Sequence, residues 1–221
     1  MTILMDISSD NTYDYIISLG CNCSVSNTLR DMNLKKDTFL FDWNHTHIIK
    51  VLETFRNQFT NFYDVNNIKS VRNGYGELIN DNNNIELENW KIKYVHDKKD
   101  IEMDINIPLE KYNRRSLKLL NLLNSNDKIL FIRIATYYKN EYEEIIELVE
   151  IIKQNFPTCD FKIMLISGEK IDNKNDNIIF LHDDTINKFC DMPKKIRDEC
   201  HNDVVRKILK PLNLNISIKN E

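Results

Sequence analysis

Apolar and polar positions along this chain switch between a period of two and a period near 3.6, and the switch points mark its elements. Tyr15, Ile16, Ile17 and Leu19 form a short apolar run that Gly20 ends, and Ser24 to Met32 reads as a helix. Ile48 to Phe62 carries Ile48, Ile49, Leu52, Phe55 and Phe59 near helical spacing, which predicts an amphipathic helix. Asn66 to Asn89 is polar, with Gly74, Gly76 and the run Asp81-Asn82-Asn83-Asn84, and is expected as a surface loop or weak hairpin. Trp90 to His96 alternates: Trp90, Ile92, Tyr94 and His96 on one face, Lys91 and Lys93 on the other. That pattern predicts a half-buried strand whose buried face ends in a histidine.

Pro108 is placed to start the next helix, with Arg114 and Arg115 in its early turns and Leu117, Leu119, Leu120, Leu122 and Leu123 inside. Asn124 to Asp127 is a turn. Lys128 to Ala135 is the strongest strand in the sequence, apolar on both faces except for Arg133. Glu141 to Phe156 reads as an amphipathic helix closed by Pro157, Phe161 to Ser167 and Ile178 to Leu181 as buried strands, and Pro193 to Leu209 as a closing helix. Doubly apolar strands alternating with helices predict an α/β fold, a mostly parallel sheet covered by helices. No repeat or linker divides the chain, so one domain is expected over 13–209, with a loose segment at 1–12 and a tail at 210–221.

Composition narrows the function classes. Hydrophobic residues make up 42% and charged residues 29% of the 221 residues, as in a globular protein with a sizeable core. The formal net charge of −4 gives no basic excess for nucleic acid or an anionic membrane surface. No apolar run approaches the ~20 residues that span a bilayer, and the first residues lack the charged and apolar regions of a signal peptide. Five cysteines, an odd number without paired zinc spacing, fit a reducing intracellular compartment and imply no metal or other cofactor. The wealth of asparagine, isoleucine and lysine fits an AT-rich genome.

The chemistry concentrates between Tyr13 and Arg30. A buried strand that breaks at Gly20 and runs into a helix presents the residues of the turn outward, here Cys21, Asn22 and Cys23. Unpaired N–H groups and a partial positive charge at a helix start favour a thiolate or a bound anion. Arg133 is the second anomaly, because a buried guanidinium needs a partner. It pairs with a buried carboxylate such as Asp42, or it reaches into a cleft and holds a substrate anion; its place toward the C-terminal end of its strand favours the cleft. His182, followed by Asp183 and Asp184 after a short strand, is a weaker candidate, and Cys190, Cys200 and His201 lack metal-site spacing.

Five ordered motifs carry a resemblance. They are Ser18-Leu19-Gly20 with Cys23, Phe41-Asp42-Trp43, His96-Asp97, Tyr112 with Arg114 and Arg115, and Phe131 with Arg133. Together they resemble a family of papain-like cysteine peptidases found in bacteria and large DNA viruses. The resemblance implies Cys23 as nucleophile, His96 as general base, and Asp42 or Asp97 as the group that orients the imidazole. It implies a thiol attack on a peptide or other acyl substrate, with Arg133, Arg114, Arg115, Asn22 and Trp43 as substrate-binding candidates and Cys21 as a neighbour. Papain-like enzymes carry the histidine on an antiparallel sheet, whereas the strands around Arg133 and Leu165 read as parallel. Two other classes fit the same residues. A transferase would use an arginine-lined cleft for a nucleotide-sugar or phosphate donor, and an inactive binding module would keep only the fold.

Overall fold

The computed structural model describes residues 12–60, 62–64, 68–70, 76–79, 90–94, 96–104, 106–135, 141–186 and 194–217. The chain opens with β1 (Thr12–Tyr13) and β2 (Tyr15–Ser18), followed by α1 (Ser24–Asp31), β3 (His45–Thr46) and α2 (Ile48–Arg56). Next come β4 (Ile68–Ser70), β5 (Gly76–Ile79), β6 (Trp90–Tyr94), α3 (Lys98–Met103) and α4 (Ile107–Leu123). The second half holds β7 (Lys128–Ala135), α5 (Tyr142–Asn155), β8 (Asp160–Ser167), β9 (Ile178–His182), α6 (Lys194–Leu209) and β10 (Asn215–Ile216).

Four strands form a parallel sheet in the order β2-β7-β8-β9, with Ile17 beside Phe131 and Arg133 beside Leu165. Alternation along β7 and β8 sends side chains to two separate cores. Ile129, Phe131, Ile163 and Leu165 pack with Val51 and Phe55 of α2, Leu119 and Leu123 of α4, and Leu148 and Ile152 of α5. Leu130, Ile132, Ile134, Met164 and Ile166 pack with Val25 and Leu29 of α1 and Val205 and Leu209 of α6. Both faces are therefore covered, which is why these strands read as continuous apolar runs. Each such side chain contributes about 1.5–3 kcal/mol relative to exposure. The fold is α/β, as the pattern predicts.

A second sheet, entirely antiparallel, runs β3-β6-β5-β4. Within the polar stretch 66–89, β4 and β5 pair as a hairpin would, Ile68 beside Leu78; the run Asp81–Asn84 lies outside the described residues. Met1 to Asn11 lie outside them too, as do Pro193 and Cys190. Within the expected tail, β10 returns to lie parallel to β1, Thr12 beside Asn215. No helix among the described residues is long and apolar enough to cross a membrane.

Three local expectations are corrected. The strand at 90 ends at Tyr94, because the chain turns there and the Asp97 N–H donates to the Tyr94 carbonyl at 3.1 Å. His96 is therefore exposed in a turn rather than at the end of a buried face. Leu117 is 57% exposed: the buried stripe of α4 runs Tyr112, Ser116, Leu119 and Leu123, and Leu117 stands off it.

Arg133 is the third. It is 1% exposed and its partner is Glu141, ahead of α5, not Asp42. Nε and Nη2 donate to the two Glu141 oxygens at 2.8 and 2.7 Å, a bidentate pair. Nη1 donates to the Leu19 carbonyl at 3.1 Å and to the Thr46 carbonyl at 2.8 Å. All three guanidinium nitrogens thus donate to the scaffold, to Glu141, Leu19 and Thr46. Removing one member of such a pair typically costs ~3–5 kcal/mol. Arg133→Met is therefore expected to lose stability in that range in urea melts, and a change below ~1 kcal/mol would contradict this assignment.

Candidate active site

The site grows out of the end of β2. The Leu19 N–H still follows the sheet, donating to the Ile132 carbonyl at 2.9 Å, and the Gly20 N–H turns back to the Ser18 hydroxyl at 3.1 Å. Gly20 and Cys21 then both take left-handed backbone, φ 80° and 76°. Glycine is required at the first of these. A Cβ on Gly20 would sit 2.8 Å from the Thr46 Cβ and 2.9 Å from its hydroxyl.

The turn feeds α1. Cys23 occupies the N-cap position, but its side chain does not cap the helix. Asn22 does so instead: its Oδ1 accepts the Ser24 N–H at 2.9 Å and also the Ser24 hydroxyl. The Cys23 carbonyl accepts the first helical bond, from Asn27 N–H at 2.9 Å. Because a neighbour caps the helix, the Cys23 thiol is left for another partner. That partner is His96: Sγ and Nε2 lie 3.3 Å apart, across 73 residues of sequence. The thiol thus comes from the end of the parallel sheet, and the imidazole from two residues beyond the antiparallel one.

Trp43 makes the ring contact to this pair. Its indole meets the His96 ring edge to face, centroids 6.1 Å apart at 84°, and its backbone is left-handed at φ 67°. Arg30 and Lys35 each lie 5.4 Å from the indole centroid.

Neither expected carboxylate bonds to the imidazole among the described residues. Asp42, 1% exposed, accepts from the Ser26 hydroxyl, the Lys35 ammonium and the Phe39 N–H, the last at 2.7 Å. Burial lowers the Lys35 pKa from its ordinary range, with Asp42 pulling the other way. Asp97, 3% exposed, accepts from Lys111 and from the Tyr112 hydroxyl. Each carboxylate is thereby paired with a lysine, and its hydrogen bonds go to groups other than the imidazole.

The remaining candidates fall apart in space. Asn22 is buried in its cap, Arg114 is exposed, and the Arg115 guanidinium lies 5.7 Å from the Tyr112 ring centroid. His182 ends β9, at the opposite edge of the sheet from β2, with Nε2 3.2 Å from the Gly168 carbonyl and 3.2 Å from an Asp184 oxygen. Among the described residues no group of three or more His, Cys, Asp or Glu could hold a metal ion. A cleft of about 270 Å³ lined by Tyr15, Phe39, Lys118 and Asp127 lies at the start of the strands and includes neither Cys23 nor His96.

Sequence reasoning missed Glu141, Thr46, Asn44 and Lys111. A lone arginine in an apolar strand demands an acid, which was a signal for Glu141 in general but not by position. Thr46 carries no such signal, yet it limits what can stand at Gly20. Left-handed backbone costs a non-glycine residue ~1–2 kcal/mol and overpacking ~1–3 kcal/mol. Gly20→Ala is therefore expected to lose at least ~2 kcal/mol in thermal or urea unfolding; an unchanged midpoint would show that the turn tolerates a side chain.

No curated protein and no solved structure matches the chain. One family does match, over residues 14–170, a span that includes the Gly20 turn, Cys23, Trp43, His96, Tyr112, Arg133 and Glu141. The chain belongs to that family, a domain of unknown function described as "Putative papain-like cysteine peptidase".

Proposed function

We propose that the protein is a cysteine-nucleophile hydrolase acting on a peptide, isopeptide or other acyl substrate through Cys23 and His96. The observation that carries this reading is the 3.3 Å approach of the Cys23 sulfur to His96 Nε2 at the start of a helix. A nucleophile and a base within hydrogen-bond reach are the minimum for thiol catalysis. The positive end of α1 favours the thiolate over the thiol and stabilises negative charge that develops beside it.

The reaction runs in two halves. The Cys23 thiol gives its proton to His96, and the sulfur attacks the acyl carbon, forming a C–S bond. The bond from that carbon to the leaving nitrogen breaks, and His96 returns the proton to the leaving amine. Water then gives a proton to His96, attacks the thioester carbon and releases the acid, and the sulfur takes the proton back. Asp42 and Asp97 stand outside this proton path, since their bonds go to Lys35 and Lys111. The site is a dyad. Arg133, buried against Glu141, also stands outside it.

Alkylation distinguishes this site from an ordinary thiol. Iodoacetamide should modify Cys23 faster than Cys159 at neutral pH, because burial and then Asp160 push the Cys159 thiol up to about 12. The Cys23 rate should rise with pH at lower values than for an ordinary thiol near ~8.5. His96→Ala removes the imidazole that takes the thiol proton, so it should move that rise upward. Residue-resolved mass spectrometry reads both effects. Faster labelling of Cys159, or a Cys23 profile indifferent to His96→Ala, would remove the dyad.

A further inference from the structure

The dyad leaves one geometric question, which is what holds an exposed histidine in place. His96 lies beyond the end of β6, and its ring contact is to Trp43, a residue on another loop. The residue following each of these two rings is buried: Asn44 after Trp43 at 1% exposure, and Asp97 after His96 at 3%. Both buried residues converge on one atom. The Tyr112 hydroxyl donates to Asp97 Oδ2 and lies 3.1 Å from Asn44 Oδ1, so a single O–H faces two acceptors.

We propose that Tyr112 is a positioning residue for the cysteine–histidine site, its hydroxyl tying the loop that carries Trp43 to the turn that carries His96. This inference rests on the dyad reading and adds to it the group that sets the imidazole in place.

The surroundings of Tyr112 fit a fixed post. Its ring stacks on Tyr63, centroids 5.2 Å apart and 7° between planes, and meets Phe62 and Tyr94 at 5.5 and 5.0 Å. α4 brings Lys111 onto the same Asp97 carboxylate and Arg115 against the Tyr112 ring. Burial, and after it the charge of Asp97, push the Tyr112 pKa well above its ordinary range, so the phenol keeps its proton and remains a donor. Asp97 also starts α3, its carbonyl accepting the Ile101 N–H at 2.9 Å. With its carboxylate pinned by α4 and its carbonyl by α3, Asp97 leaves His96 little backbone freedom. Asn44 is held at its other end by its amide, which donates to the Leu40 carbonyl at 3.3 Å. The Trp43 loop is therefore anchored to itself and to α4.

Tyr112→Phe tests this, because it deletes the hydroxyl and keeps the stacked ring. Tyr94→Phe is the matched control. It removes another buried phenolic hydroxyl from the same aromatic cluster, one that donates to the Phe62 carbonyl at 3.2 Å and not toward the site. The readout is the pH profile of Cys23 alkylation, measured beside the melting temperature. Small displacements in a catalytic constellation cost large factors in rate. Tyr112→Phe should slow Cys23 alkylation at neutral pH by about tenfold and move its rise toward higher pH, in the direction of His96→Ala. Tyr94→Phe should lower the melting temperature and leave the profile in place. A wild-type profile in Tyr112→Phe, or an equal shift in Tyr94→Phe, overturns the inference while His96→Ala still reports the dyad. A profile that His96→Ala leaves unmoved overturns both.

Discussion

The architecture depends on where one buried guanidinium spends its hydrogen bonds. Arg133 stands in the apolar face of the central strand β7, where an unpaired charge would cost several kcal/mol. Glu141, just ahead of α5, pairs with that charge. Nη1 reaches Leu19 at the end of β2 and Thr46 in β3. Those two residues bracket the Gly20 turn, Leu19 leading into it and Thr46 pressing on it. A charge placed in the core for no apparent gain thus fixes the parallel sheet, the antiparallel sheet and the turn that starts the cysteine helix in one register.

The site follows the same logic of borrowed rigidity. Cys23 rides on a helix whose start is capped by Asn22, so its sulfur has no capping duty. His96 is set by its neighbours rather than by a carboxylate on its ring, with Trp43 on one side and the pinned Asp97 beside it in sequence. Two buried carboxylates flank the pair, and each is matched by a lysine, Lys35 or Lys111. Both acids are therefore already engaged, and they tie chain segments together. On the proposed reading, such an arrangement puts the demands of catalysis on geometry more than on a relay of charge.

Much of the scaffold was legible in the sequence. Lys128 to Ala135 and Phe161 to Ser167 declare a doubly covered sheet because both faces must be apolar, and the glycine break before Cys23 marks a turn into a helix. The errors share a cause, in that periodicity says which residues are alike and not where an element stops. The alternation through Tyr94 carries on to His96 by coincidence, while the backbone has already turned. Leu117 is apolar like its neighbours but stands off the stripe that packs. Partners distant in sequence were the least legible. Nothing local says that Arg133 chooses Glu141 over Asp42, or that Tyr112 joins Asn44 to Asp97. Those choices belong to the topology.

The central claim is that Cys23 attacks acyl carbon with His96 as its base. Its most direct measurement is acyl transfer from an activated ester, such as p-nitrophenyl acetate, followed by mass spectrometry of the trapped protein. A positioned general base contributes ~10²–10⁴-fold to such a step. The account predicts an acetyl group on Cys23, formed at least ~10²-fold more slowly in His96→Ala. An adduct on another residue, or an equal rate in His96→Ala, would contradict it.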